Sequence, residues 1–142
     1  MRAVGLDIGD RRVGIAVSDE TGTIASPHGV YLRRSPPEDA CYLARLAHDG
    51  GAAAIVAGLP LNMDGTEGDQ ARKTRELAEA VAQEAGLPLH YMDERLTSAE
   101  ANRAMVEGGL SRRARKRRED ALSSVLILQA WLDTGKPNSS SD

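Results

Sequence analysis

This sequence predicts an α/β domain built on a mixed central sheet, three antiparallel strands followed by parallel ones, with helices flanking it. Three observations carry that prediction. Two alternating apolar runs open the chain, separated only by Gly9-Asp10-Arg11-Arg12. A continuous apolar run, Ala52 to Ala57, stands between two amphipathic stretches. Strand-like and helix-like periods then alternate almost to the C-terminus.

The first run sets Val4, Leu6 and Ile8 against Ala3, Gly5, Asp7 and Gly9; the second sets Val13, Ile15 and Val17 against Gly14, Ala16 and Ser18. Period-two alternation makes each a strand, and the short turn-prone break makes the pair an antiparallel hairpin. Asp7 falls mid-strand on a face whose other members are all small. A carboxylate there is costly unless a cation or several donors meet it, and the flanking Gly5 and Gly9 leave room for a bulky group to approach. Asp7 therefore reads as a metal ligand, against the plainer alternative of a carboxylate satisfied by an arginine or by backbone amides.

A third extended run is expected from about Ile24 to Arg33, interrupted by Pro27, which lacks a ladder donor. Ser35 then caps a helix that begins at Pro36-Pro37, carries Ala40, Leu43, Leu46 and Ala47 on one face and ends at Gly50-Gly51. Ala52 to Ala57 has the pattern of a strand buried on both faces. The loop from Gly58 to Gly68 is too long for plain connection and lies where ligand crevices form in open α/β sheets, so Asn62 and Asp64 are candidate substrate contacts, or equally turn formers. A helix from Asp69 to Ala85, with Ala71, Thr74, Leu77, Ala78, Val81 and Ala85 on one face, is closed by Gly86 and Pro88.

Leu87 to Met92 is a strand that delivers Asp93-Glu94-Arg95 at its end. Adjacent carboxylates there point to opposite faces, so only one can join Asp7, and the period does not say which. Thr97 and Glu100 stand at capping-box spacing for a helix reaching Gly108-Gly109. The basic segment that follows has no large apolar anchor and is expected to be mobile. A last helix from about Arg118 to Asp133 carries Ala121, Leu122, Val125, Leu126, Gln129 and Leu132 on one stripe, with Asp120 in its first turn. Residues 1–136 are expected to form one domain and 137–142 a disordered tail.

Composition bounds the function. The 18 basic and 21 acidic residues give a net charge of −3, yet Arg112, Arg113, Arg115, Lys116, Arg117 and Arg118 concentrate six of the positive charges without an acid between them. The rest of the chain is left with 12 basic against 21 acidic residues, a net of −9. Such a local basic block reads as the footprint of a polyanion, or else as a solvated linker. The lone Cys41 excludes a disulfide framework and a clustered-cysteine zinc site, suits a reducing cytosol, and is expected in the core. No apolar run is long enough to span a membrane and no signal peptide opens the chain, so a cytoplasmic protein without membrane association is expected. His28, His48 and His90 are too scattered for a histidine metal site.

A first-strand acid, an acid at a later strand end and Asp120 on the last helix describe a site of converging carboxylates. Mutual repulsion favours such a cluster only around divalent cations, and all-oxygen ligation selects Mg²⁺ or Mn²⁺. Two such ions suit phosphodiester cleavage, and the basic block before the third acid suits delivery of the phosphate chain.

The motifs Gly5-Leu6-Asp7-Ile8-Gly9 with Arg12-Val13-Gly14-Ile15-Ala16-Val17-Ser18-Asp19, Val56-Ala57-Gly58-Leu59-Pro60-Leu61-Asn62-Met63-Asp64-Gly65-Thr66-Glu67 and Asp93-Glu94-Arg95-Leu96-Thr97-Ser98 resemble those of the YqgF family, also called RuvX. These RNase H-like proteins are described as pre-16S ribosomal RNA nucleases and, earlier, as Holliday junction resolvases. The resemblance runs to about residue 135 and implies an RNase H-like fold, a divalent-metal nuclease and a role in maturing the 5′ end of small-subunit ribosomal RNA. It also implies Glu94 over Asp93, giving Asp7, Glu94 and Asp120 as catalytic and metal-binding residues. Related junction resolvases carry an acid where this fourth strand ends in Gly58-Leu59-Pro60.

Arg11, Arg12, Asn62, Arg95, Arg112, Arg113, Arg115, Lys116 and Arg117 are the candidate nucleic-acid contacts. Structured RNA is the expected partner ahead of branched DNA, and a four-way junction would call for a homodimer. With only Tyr31, Tyr42, Tyr91 and Trp131 available, base stacking is not expected to dominate. The alternatives are an actin-like or sugar-kinase-like ATP-binding protein, which one domain of this length disfavours, and a non-catalytic nucleic-acid-binding factor.

Overall fold

The computed structural model describes residues 1–96 and 112–134, the side chains of the second stretch from residue 122. Three strands come first: β1 (Arg2–Ile8), β2 (Arg12–Ser18) and β3 (Ala25–Leu32). After them α1 (Pro36–Asp49), β4 (Ala52–Leu59), α2 (Asp69–Ala85) and β5 (Leu89–Asp93) alternate, and a single 3₁₀ turn, Glu94–Leu96, closes β5. The last helix, α3, spans Arg112–Asp133. Strand order in the sheet is β3-β2-β1-β4-β5. β1 pairs antiparallel with β2, placing Asp7 opposite Gly14, and parallel with β4. β3 joins β2 antiparallel and β5 joins β4 parallel, as the alternation of patterns predicts.

β3 lies at the rim of the sheet, the position that tolerates a proline. Its register slips there: Ile15 faces Gly29 and Ala16 faces Pro27, which leaves His28 bulged out of the ladder.

The two faces of the sheet are packed differently. On one, Val4, Leu6, Ile8, Val13, Ile15 and Ile55 meet the stripes of α1 and α2. These helices begin and end where expected: the Ser35 hydroxyl accepts the Glu38 amide (3.3 Å), and Gly86 takes a left-handed conformation (φ 69°) after Ala85. On the other face the strands offer Ala3, Ala16, Ala54 and Val56, and α3 lies on them through Ile127, Leu128, Trp131 and Leu132. The helix comes unusually close. A Cβ on Gly5 would stand 2.7 Å from Leu128 Cβ and 3.2 Å from the Ser124 carbonyl, and one on Gly58 would stand 2.5 Å from Ile127 Cδ1. At its far end Gln129 ties α3 to the start of β3, donating to the Thr23 carbonyl and accepting the Ala25 amide (both 2.9 Å).

Three expectations are corrected. The basic block is not a mobile connector: residues 112–118 form the opening turns of α3, which starts six residues earlier than expected. Arg, Lys and Ala are strong helix formers and need no large apolar anchor to propagate a helix already docked downstream. The buried stripe of α3 is not Leu122, Val125, Leu126 and Gln129, which are half-buried, but Ser123, Ser124, Ile127, Leu128 and Trp131. Small serines face inward because the sheet beneath is glycine and alanine. Cys41 is exposed, since α1 turns Ala40, Leu43, Ala44 and Ala47 to the sheet. The helix expected between Thr97 and Gly109 and the tail lie outside the described residues.

Candidate active site

Because β1, β4 and β5 run parallel, their carboxyl ends form one edge. The turn after β1, the 60–68 loop and the Glu94–Leu96 turn all gather there. α3 runs against β1: Leu128 stands over Gly5, while Trp131 reaches His90 at the start of β5 (ring centroids 5.1 Å). Its opening turns therefore point toward the same carboxyl edge.

Asp7 is half-buried on the α3 face near this edge, and both Gly5 before it and Gly14 across from it are buried. The β1–β4 register, Gly5 to Val56 and Leu6 to Ala57, leads next to Gly58 as the neighbour on the other side. Asp7 thus has glycine for its neighbours along β1 and across the ladder, and the volume over Gly5 and Gly58 is taken up by α3 and by the Glu94 side chain.

The fold distinguishes the two adjacent acids of β5. Met92 belongs to the α3 side and Tyr91 packs on the α1/α2 side, so strand alternation returns Glu94 to the face of Asp7. The side chain is seen there directly: Glu94 Oε2 lies 3.0 Å, and Cγ 3.1 Å, from where a Gly58 Cβ would be. The turn closing β5 supplies a carboxylate over the very position at which β4 has no side chain. Asp93 is occupied otherwise. Both its oxygens accept from the Arg95 guanidinium (2.8–3.1 Å), and that hydrogen bonding, opposed by partial burial, holds its carboxyl below the ordinary range. Asp120 lies on α3 one turn before Ser124; its side chain falls outside the described part.

The loop after β4 is internally braced. Asn62 donates to the Thr66 hydroxyl (2.9 Å), Asp64 accepts the Thr66 amide and hydroxyl (3.0 and 2.6 Å), and Glu67 takes a two-point contact from Arg75 (2.7 Å each). Arg75 in turn lies over the Tyr91 ring, 4.6 Å from its centroid. Arg95 reaches back to the Met63 carbonyl (3.1 Å), bonding the turn after β5 to this loop. Asn62 and Asp64 thus serve as turn formers, and Arg95 joins two loops while remaining 42% exposed. Arg11 is exposed and Arg12 half-buried at the same edge. Arg112, Arg113, Arg115, Lys116 and Arg117 share the first turns of α3, a grouping that spacing alone had left as a free segment.

The donor set is hard and oxygen-based. Cys41 lies out on α1, and His90 lies beside Trp131 away from the carboxyl edge. Among the described residues no three His, Cys, Asp or Glu side chains converge closely enough to hold an ion. Asp7 and Glu94 sharing one face, with glycine beneath both, is the arrangement that a divalent cation suits.

Comparison with known proteins finds matches over nearly the whole chain. The family model described as RuvX, Holliday junction resolvase, matches residues 1–134. A protein of Syntrophomonas wolfei named "Putative pre-16S rRNA nuclease" is 44% identical over 135 residues, covering 95% of this chain and 96% of its own. One of the same name from Clostridium novyi is 42% identical, with 94% and 99% covered. Among solved structures, Thermus thermophilus RuvC in complex with a Holliday junction substrate superimposes with a TM-score of 0.63 at 16% identity, covering 95% of this chain and 96% of that one. The yeast mitochondrial Holliday junction resolvase Ydc2 gives 0.51 at 14% identity, with 92% and 77% covered. These two establish the fold, an RNase H-like architecture.

Proposed function

The chain belongs to the RuvX family, and from that premise we propose that it is a divalent-metal-dependent nuclease acting in 5′-end maturation of pre-16S ribosomal RNA. The observation that carries the reading is the Glu94 carboxylate reaching over Gly58 onto the face that holds Asp7. Asp7 and Glu94 would hold Mg²⁺ or Mn²⁺, two ions in our reading, with Asp120 from α3 as the third ligand. When bound, the metal supplies an activated water and charge stabilisation for the leaving oxygen. The chain's own contribution is position. Asp7 is fixed by the ladder on both sides of β1, Glu94 by a turn that Arg95 ties to the neighbouring loop, and the missing side chain at Gly58 leaves the room in which Glu94 reaches the Asp7 face.

Arg11, Arg12, Arg95 and the basic first turns of α3 border this edge and would neutralise the phosphates on either side. The names of the relatives, matched over nearly their whole length, favour nuclease chemistry over an ATP-binding reading. A second substrate, the four-way DNA junction, is favoured by the description of the family model.

One experiment tests both. Wild type, Asp7→Asn, Glu94→Gln and Asp120→Asn are given Mn²⁺ with a structured ribosomal RNA precursor and, separately, a four-way DNA junction. Each substitution is expected to lower cleavage at least about 100-fold with an unchanged thermal midpoint, since each removes a charge and little volume. Wild-type cleavage of the RNA alone assigns the substrate. Undiminished activity in all three variants overturns the site.

A further inference from the structure

Two cavities adjoin at the same carboxyl edge, on the side of the sheet away from α3. The first, about 530 Å³, lies between the β1–β2 turn and the starts of α1 and α2; Asp10, Arg11, Arg34, Lys73 and Glu76 are among its walls. The second, about 770 Å³, continues along α1 past Arg34 to Glu38, Tyr42 and Arg45. Arg33 and Arg34 line both, so the two form one bent groove.

Its chemistry is not that of an ordinary solvated surface. Arg33 is neutralised by Asp39 (2.9 Å), and Glu76 is drawn to Arg72 (3.4 Å). Glu38 accepts the Ser35 hydroxyl (2.9 Å), and neither it nor Asp10 forms an ion pair among the described residues. Arg11, Arg34, Arg45 and Lys73 carry no side-chain hydrogen bond or ion pair among the described residues. Four unmatched cations thus stand against two acids, and they line a concave surface. At the far end Tyr42 stacks on Tyr31 (centroids 4.3 Å, planes 13° apart) and remains 48% exposed. Tyr31 is itself anchored by its hydroxyl on Asp39 (2.8 Å), so the platform is fixed before anything binds. Four aromatics scattered in sequence promised no stacking surface; the fold assembles one from the last residues of β3 and the second turn of α1.

We propose that this groove binds a single-stranded segment of nucleic acid flanking the scissile bond, with phosphates on Arg11, Lys73, Arg34 and Arg45 and a base on the open face of Tyr42. A cationic track ending on an aromatic plane is the pattern by which single strands are held without sequence preference. The β1–β2 turn, which carries Arg11, is shared by the groove and the Asp7 edge, so one strand can run from one to the other. This inference rests on the nuclease reading for its substrate class, and its test separates the two.

The test measures binding in EDTA by fluorescence anisotropy. The probes are an RNA hairpin with blunt ends and the same hairpin carrying a tail of about ten uridines at the 5′ or the 3′ end, a length within the usual range of single-strand sites. The wild-type protein is expected to bind one tailed hairpin roughly 10-fold tighter than the blunt one, the scale of one stacked base with its phosphate contacts. Tyr42→Ala and Arg34→Glu, both on exposed side chains, should each remove most of that gain and leave blunt-hairpin affinity within about twofold, while Tyr42→Phe retains it. No gain from either tail in the wild type overturns the proposal. So does a gain that survives both substitutions, the result expected if the groove serves a protein partner, or an equal loss on blunt and tailed probes, which would make the groove a contact for the duplex. Blunt-hairpin cleavage with Mn²⁺ is run in parallel. Cleavage without a tail effect rejects the groove alone, and a tail effect without cleavage rejects the nuclease alone.

Discussion

Asp39 is the one charged side chain buried among the described residues, 1% exposed in the first turn of α1. Burial on its own would raise its carboxyl. The Arg34 amide (2.9 Å), the Arg33 guanidinium (2.9 Å) and the Tyr31 hydroxyl (2.8 Å) outweigh that, and the group is held below the ordinary carboxylate range. Tyr31 pays the reciprocal effect: burial and the Asp39 charge push its hydroxyl up to about 12. A native pKa depressed below the unfolded value means that Asp39 contributes its full stability above the unfolded carboxylate pKa, about 4, and loses it as pH falls through the lower native value. Asp39→Asn, which leaves Arg33 without its partner, should cost about 3 kcal/mol at pH 7. It should also flatten the fall in stability on acidification below about pH 4, as urea unfolding at pH 7 and pH 3 would show. Sequence made Asp7 legible, since its small-residue neighbours repeat at period two. It hid Asp39, because an acid in a first helical turn reads as a dipole partner until Tyr31 and Arg33 are folded against it.

For whole elements, the seating of α3 decides the site. The same missing side chain has different consequences at Gly5 and Gly58. At Gly5 an added methyl meets Leu128 Cβ at 2.7 Å and the Ser124 carbonyl at 3.2 Å, both fixed to the helix backbone, so α3 itself must shift. Gly5→Ala is therefore expected to lower stability by about 2 kcal/mol, read from the denaturation midpoint. At Gly58 the methyl meets the tip of Ile127 and the Glu94 side chain. Both can turn aside, so Gly58→Ala should lose less than about 1 kcal/mol of stability yet reduce cleavage about 10-fold or more by displacing Glu94. Unchanged cleavage in Gly58→Ala would detach Glu94 from the chemistry. Helix boundaries for α1 and α2 were readable from caps and stripes. The start and buried face of α3 are harder to read, because two of its inward residues, Ser123 and Ser124, are polar and its first turns carry charge, and neither announces a docked helix until a glycine floor is placed beneath it.

Taken as a whole, the molecule separates charge from bulk. A body of net charge −9 carries six cations on residues 112–118 of a single helix that opens toward the carboxyl edge of the sheet. Replacing Arg112, Arg113 and Arg115 by alanine should weaken RNA binding and lower the slope of log affinity against log salt by up to about 2 to 3, whereas the Tyr42→Ala change should leave that slope unaltered. A titration across salt concentrations distinguishes the two. The alternation of strand and helix patterns made the architecture legible, parallel pairs included, because chains joined by a helix return in the same direction. That loops remote in sequence meet at one rim was legible from the long loop at the carboxyl end of β4 and the acids at strand ends, whereas the choice of Glu94 over Asp93 came only with the family motifs.

The interruption at Pro27 and His28 reaches beyond β3 itself. An outermost strand invites pairing from any neighbouring copy, and a sheet that grows in this way becomes insoluble fibre. Here the outermost strand lacks an amide at Pro27 and is kinked where His28 leaves the ladder, so a second molecule approaching edge-on finds no continuous template. The irregularity that made this strand hardest to recognise is also a safeguard against self-aggregation in a crowded cell.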